Sequence, residues 1–184
     1  GYVAMVLGMP AAVDYLQASP ITQQIRLDAC QPLHNIEPDL LTDPCQLPIA
    51  TDRVDLAVIP HSIEFTQQPL AMLREIDRIL IPEGHVAIIG FNPFSLWSIL
   101  RLLKLWSLAA SGSKQNTSTT MDWQTRPISA SHLRFWLTEI GFEIVSIEHY
   151  RFANTINQHW LGQHWLFRGS GYLLLAKKRV STLT

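Results

Sequence analysis

The chain has 184 residues, enough to bury one substantial core, so a single domain spanning 1–184 is expected and a staple-dependent miniprotein is excluded. Apolar residues make up 47% and charged residues 16%, with a formal net charge of -1, so there is no general electrostatic draw toward phosphates and nucleic acid is not an expected partner. Cys30 and Cys45 lie outside any C-x-x-C pair and suit a reduced compartment, no run reaches the roughly 18 apolar residues of a membrane span, and no secretory signal opens the chain, so a cytoplasmic location is expected.

Tyr2 to Leu7 is an apolar run ended by Gly8, and Pro10 stands where a helix would begin, so strand, turn and helix follow one another, the helix reaching about Ala18. The strand begins almost at once, and further residues ahead of Gly1 are expected in the natural protein. Gln24 to Leu27 is a second short strand ending at Asp28. Pro32, Pro38, Pro44 and Pro48 make the stretch from Cys30 to Ala50 mostly irregular, with room only for a very short strand near Leu40 and Leu41.

The middle of the chain is clearer. Val54 to Ile59 is an apolar run broken only by Asp55, as in a parallel strand covered on both faces. Leu70, Leu73, Ile76, Ile79 and Leu80 then recur at helical spacing, Pro82 is expected to stop that helix, and Gly84 to begin the next turn. His85 to Phe91 is another buried strand. Strand, helix, strand units in series predict an α/β fold with a doubly wound, mostly parallel sheet.

Beyond Phe91 the run "NPFSLWSILRLLKLWSLAA" is apolar nearly all round if helical, with Arg101 and Lys104 its only charges. Such a helix belongs to the core, covers a pocket as a lid, or meets a partner or bilayer surface through residues 94–110. Ser111 to Thr120 reads as a polar loop, and residues 93–128 together as a lid or insertion. A helix restarts near Ser129 or Ser131, either able to cap it, and ends at Gly141. Two strands, "FEIVSIEHYRF" and "GYLLLAKKRV", close the chain as an antiparallel edge.

The segment "LTDPCQLPIATDRVDLAVIPHSIEFTQQPLAMLREIDRILIPEGHVAIIGFNP" resembles the core of the S-adenosylmethionine-dependent methyltransferases with a Rossmann-like sheet, in particular the type 11 group. The matching residues are Asp43, Leu47-Pro48-Ile49, Val54-Asp55, Leu73-Arg74-Glu75 and Pro82-Glu83-Gly84. "PEGHVAIIGFNPFSLW" is closer still to a bacterial subgroup of uncharacterised methyltransferase-like proteins that continue Gly-Phe-Asn-Pro-x-Ser-Leu-Trp after strand five. The resemblance implies a three-layer Rossmann-like methyltransferase fold with an antiparallel final strand, and S-adenosylmethionine as cofactor.

The resemblance also assigns roles. Gly8 keeps the first glycine of the family's G-x-G-x-G loop, whereas Pro10 and Ala12 replace the other two and Val6 stands in the acidic place. S-adenosylmethionine has no pyrophosphate and depends less than a dinucleotide on such a loop. Asp28 is implied as acceptor for the ribose hydroxyls, with turn formation as the competing role. Asp43 is implied as acceptor for the adenine amino group. The next residue, Pro44, has no N–H for adenine N1, so the Cys45 N–H is expected to substitute.

Methyl transfer from a sulfonium needs donor carbon and acceptor held in line, with a base only where a proton must leave. Ligands of open parallel sheets bind beyond the carboxyl ends of the strands, which selects Gly8 to Pro10, Pro60 to Phe65 and Phe91 to Trp97. Pro60 is expected beside the cofactor. His61 is either a base or a hydrogen-bonding wall. Glu64 either orients His61 or sits solvated at a helix start. Asn92 either directs its amide at substrate or forms a turn, and Phe91, Trp97 and Trp123 are expected to face the substrate or form a lid. His159 and His164 lack a completing ligand set, so no metal is expected. The expected function is methyl transfer to a small or medium organic acceptor; the alternative is a catalytically inactive methyltransferase-like binding or scaffold protein. A nicotinamide-dependent reductase would want the missing glycine fingerprint.

Overall fold

The computed structural model describes residues 1–8, 16, 19–29, 38–93, 126–150 and 171–179. The predicted helix after the first strand, Pro10, Ala12, Cys30 and the segment 94–125 with Trp97 and Trp123 lie outside the described residues, as do His159 and His164.

The strands are β1 (Val3–Leu7), β2 (Gln23–Asp28), β3 (Leu40–Leu41), β4 (Val54–Pro60), β5 (Leu80–Phe91), β6 (Phe142–Tyr150) and β7 (Gly171–Lys178), and the described helices are α1 (Pro69–Ile79) and α2 (Ala130–Ile140). They form a seven-stranded sheet in the order β3-β2-β1-β4-β5-β7-β6. The pairs from β3 to β5 are all parallel, and β7 runs antiparallel to both β5 and β6. The last strand therefore inserts between two earlier ones rather than adding an outer edge.

Alternation along β1 shows why the sheet is covered on both faces. Met5 and Leu7 join the larger core with Leu73, Ile76, Ile79, Leu133 and Leu137, while Ala4 and Val6 point to the other face and pack with Leu16 and Val58. Successive side chains of a strand face opposite sides, and here both sides are apolar, as a parallel sheet requires.

Helix α1 buries Met72, Leu73, Ile76 and Ile79. Two expectations about it are corrected. Leu70 is 39% exposed, and Met72 takes the buried place. The helix stops at Ile79, not at Pro82, because Leu80 is already extended and pairs with Val54 at the start of the β4–β5 ladder. Register then jumps to Leu56↔His85, so residues 81–84 form an excursion, with Glu83 at φ 66. At the other helix the polar signals act as read. The Ser129 hydroxyl accepts from the His132 N–H, and Gly141, at φ 114, ends α2.

Candidate active site

Parallel pairing from β3 through β5 brings the residues at or just beyond the ends of these strands to one edge: Asp43, Asp28, Gly8, His61 and Asn92. Backbone hydrogen bonds lace that edge. The Thr42 N–H donates to the Asp28 carbonyl at 2.8 Å, the Gly8 N–H to Leu27 at 2.8 Å, and the His61 N–H to Ile89 at 2.8 Å.

Gly8 lies at φ 84, a conformation that disfavours any side chain. A Cβ there would stand 1.7 Å from Ser62 Oγ. The Ser62 hydroxyl donates to the Leu7 carbonyl and also lies 3.2 Å from the Pro60 carbonyl, tying the turn after β1 to the short 3-10 helix Ser62–Glu64. Glycine at this position thus admits a neighbouring side chain of the same protein. Sequence reasoning selected the stretch Pro60 to Phe65 without singling out Ser62, whose one signal is its place two residues after a buried strand.

The carboxylates at the β2 and β3 exits are partly engaged. Asp28 Oδ1 accepts from the Ala29 N–H at 2.7 Å. Asp43 Oδ1 accepts from the Cys45 N–H at 2.9 Å, so the donor expected to serve adenine N1 closes a local turn instead. The Cys45 Sγ lies 3.8 Å from the Gln68 carbonyl, and burial pushes its thiol pKa up, which makes it a poor nucleophile. The Asp43 loop is pinned from α1: Arg78 donates to the carbonyls of Leu47 and Ile49 at 3.1 and 2.8 Å, and Glu75 accepts from the Leu47 N–H at 2.8 Å.

At the β4 and β5 exits the structure brings His61, Glu64 and Phe91 together. Pro60, the last residue of β4, is buried and pairs with Ile89. The His61 ring stacks on Phe91 with centroids 4.1 Å apart and planes at 22°. Glu64 is only 1% exposed, so the solvated reading of this residue is overturned; the turn of the 3-10 helix folds it inward, where its Oε1 accepts from the Phe91 N–H. Its Oε2 and the His61 Nδ1, 3.8 Å apart, are both buried with no hydrogen-bond partner among the described residues. Asn92 follows Phe91 at the same rim, half-buried.

Tyr172 closes the floor from the antiparallel strand. Its ring occupies the space that a Cβ on Gly90 would need, and its hydroxyl donates to the Ile128 carbonyl at 2.9 Å. Burial, with the Glu64 charge adding to it, raises its pKa well above the ordinary tyrosine value, so it remains a neutral donor. No local sequence signal links Tyr172 to Gly90, because the contact exists only once β7 pairs with β5. Among the described residues no group of three or more His, Cys, Asp or Glu side chains is placed to hold a metal ion, and no helix is long and apolar enough to cross a membrane.

Residues 15–88 match the family model described as a methyltransferase domain. The chain is 25% identical over 186 residues to YafS, an uncharacterised protein of Escherichia coli K12, covering 100% of this chain and 71% of that one. A SAM-dependent methyltransferase from Archaeoglobus fulgidus superposes with a TM-score of 0.67 at 17% identity, covering 96% of this chain and 86% of the other. The [4+2]-cyclase SpnF superposes with a TM-score of 0.61 at 15% identity, covering 98% and 76%. The chain therefore has the Rossmann-like fold of the S-adenosylmethionine-dependent methyltransferases, with the sequence pattern of a methyltransferase domain over residues 15–88.

Proposed function

We propose that this protein binds S-adenosylmethionine and transfers its methyl group to a small or medium organic acceptor. One observation carries the reading: the methyltransferase-domain pattern over residues 15–88 coincides with a sheet whose parallel strands deliver Asp28, Asp43, Gly8 and His61 to a single rim. The donor set fits the cofactor's chemistry. Its ribose offers two hydroxyl donors and its adenine an amino donor, and Asp28 and Asp43 supply carboxylate acceptors on adjacent strand exits. Bound there, S-adenosylmethionine supplies a methyl group on a positively charged sulfur, an electrophile that needs no metal.

The chain's own contribution is positional. Asp28 and Asp43 orient the nucleoside along the β2 and β3 exits. The wall formed by His61, stacked on Phe91, faces the β4–β5 side, where the acceptor would enter in line. His61 is the candidate proton acceptor and Asn92 the candidate hydrogen-bonding group for the acceptor.

A second reading, binding without transfer, is favoured by two features of the first loop. Val6, in the family's acidic place, is an apolar core residue only 4% exposed, and Ser62 already fills the space beside Gly8. The fold itself permits other chemistry, since one similar structure is a cyclase.

Calorimetric titration with S-adenosylhomocysteine tests the proposal. Binding is expected, and ligand at 100 times its dissociation constant should stabilise the protein by about 2.7 kcal/mol. The absence of both heat and a thermal shift in the full natural chain overturns it.

A further inference from the structure

His61 and Glu64 carry more information than their position at the rim. The Nδ1 of one and the Oε2 of the other lie 3.8 Å apart, and each is buried without a hydrogen-bond partner among the described residues. A buried polar atom left unpaired is costly, so two of them aimed at each other call for a proton between them. Three contacts hold the pair in place. The Phe91 N–H holds Glu64 Oε1, the Arg126 N–H donates to the Glu64 carbonyl at 3.1 Å, and the Glu64 side chain is fully enclosed. The Phe91 ring fixes the plane of the imidazole. His61 itself sits at φ 58, a left-handed conformation that a non-glycine residue holds only at a cost and that clusters at functional sites.

We propose that Glu64 fixes His61 as the Nδ1–H tautomer, leaving Nε2 as the unprotonated nitrogen and proton acceptor, and that the methyl acceptor therefore enters carrying its proton, as a hydroxyl or an N–H group. This rests on the methyltransferase reading of the site. The oxygen or nitrogen of the acceptor forms a bond to the methyl carbon of the sulfonium donor. The carbon–sulfur bond breaks, its electron pair passes to sulfur, and the acceptor's proton passes to Nε2. The resulting imidazolium directs its Nδ1–H at the Glu64 carboxylate, which compensates the new charge inside a site of low dielectric. His61 is then the catalytic residue and Glu64 a positioning residue. An acceptor with no proton to lose, such as a tertiary amine or a thioether, would have no use for the pair.

Nitrogen-15 spectra of the histidine rings in the full chain, taken where the rings are neutral, read the tautomer directly. The wild-type His61 ring is expected as Nδ1–H. In Glu64→Gln the Phe91 N–H retains the amide oxygen, so the amide NH2 faces Nδ1, donates to it, and converts the ring to Nε2–H. A wild-type ring already in the Nε2–H form overturns the proposal, as does a folded Glu64→Gln protein with an unchanged ring. The wild-type spectrum decides the matter even if the variant does not fold. Titration with S-adenosylhomocysteine keeps the two ideas apart. Binding together with an Nε2–H ring sinks the pair alone, and an Nδ1–H ring without binding sinks the methyltransferase reading and the acceptor class with it.

Discussion

Ser62 Oγ occupies the space beside Gly8, 1.7 Å from where a Cβ would stand. The turn after β1 is therefore glycine for two separate reasons, its φ of 84 and the hydroxyl packed against it. Gly8→Ala is expected to cost about 2 kcal/mol or more in urea unfolding. Adding Ser62→Gly should recover the part due to the clash and leave the part due to φ. Equal losses in the single and double variants would show that Ser62 does not crowd this turn.

The buried Glu64 carboxylate accepts the Phe91 N–H, and that bond separates two substitutions of similar size. Glu64→Leu removes this acceptor from the Phe91 N–H and should lose about 1–3 kcal/mol relative to Glu64→Gln, which retains it. Chemical denaturation of both proteins measures the difference; parity between them would deny the Phe91 bond any energetic role.

Asp43 closes the turn to the Cys45 N–H and is proposed to accept from the adenine amino group. Asp43→Asn retains an acceptor for Cys45 but turns its NH2 toward another donor. S-adenosylhomocysteine affinity is expected to fall about tenfold or more with the melting temperature nearly unchanged. Undiminished affinity by calorimetry would move the adenine elsewhere.

Lys178 joins β7 to the end of α1. Its Nζ donates to the Asp77 and Leu80 carbonyls at 2.6 and 2.8 Å and to Asp52 Oδ1 at 3.2 Å, serving carbonyls that the helix leaves open at its C-terminus. Burial pushes the Asp77 pKa up and the Lys178 charge opposes that rise. Lys178→Met should lower stability by about 1–3 kcal/mol, and a variant that unfolds at the wild-type denaturant concentration would contradict this.

The Glu75–Arg78 pair gives the acid limb of stability a definite sign. The Glu75 pKa is lowered from 4.5, chiefly by its hydrogen bond to Arg78. A carboxyl depressed in the folded state contributes stability that is complete above its unfolded value and is lost as pH falls through its folded value. The stability gap between wild type and Glu75→Gln should therefore be largest near neutrality and shrink as pH falls below about 4.5. A gap independent of pH would remove the pair from this role. The same pair pins the loop bearing Asp43, so the acid limb should be accompanied by weaker cofactor binding.

The sequence alone determined what depends on neighbours along the chain. The period of the apolar residues placed β4, β5 and α1, and Ser129 and Gly141 bounded α2, because capping and turn chemistry act over three or four residues. The order of these elements, with the methyltransferase resemblance, was enough to read a mostly parallel sheet and to send attention to Gly8, Asp28, Asp43 and His61. Only the tertiary structure decided which of their atoms are available. Leu80 left the helix because Val54 recruited it into the ladder, and the Cys45 N–H was taken by Asp43. A one-dimensional string leaves Glu64 open between orienting His61 and sitting solvated, and the 3-10 turn and the β5 exit fold it inward beside His61. Tyr172 reached Gly90 across 82 positions of chain, a contact set by strand pairing and not by spacing. Burial and hydrogen-bond partnership are properties of atoms brought together from distant segments, and no local pattern encodes them.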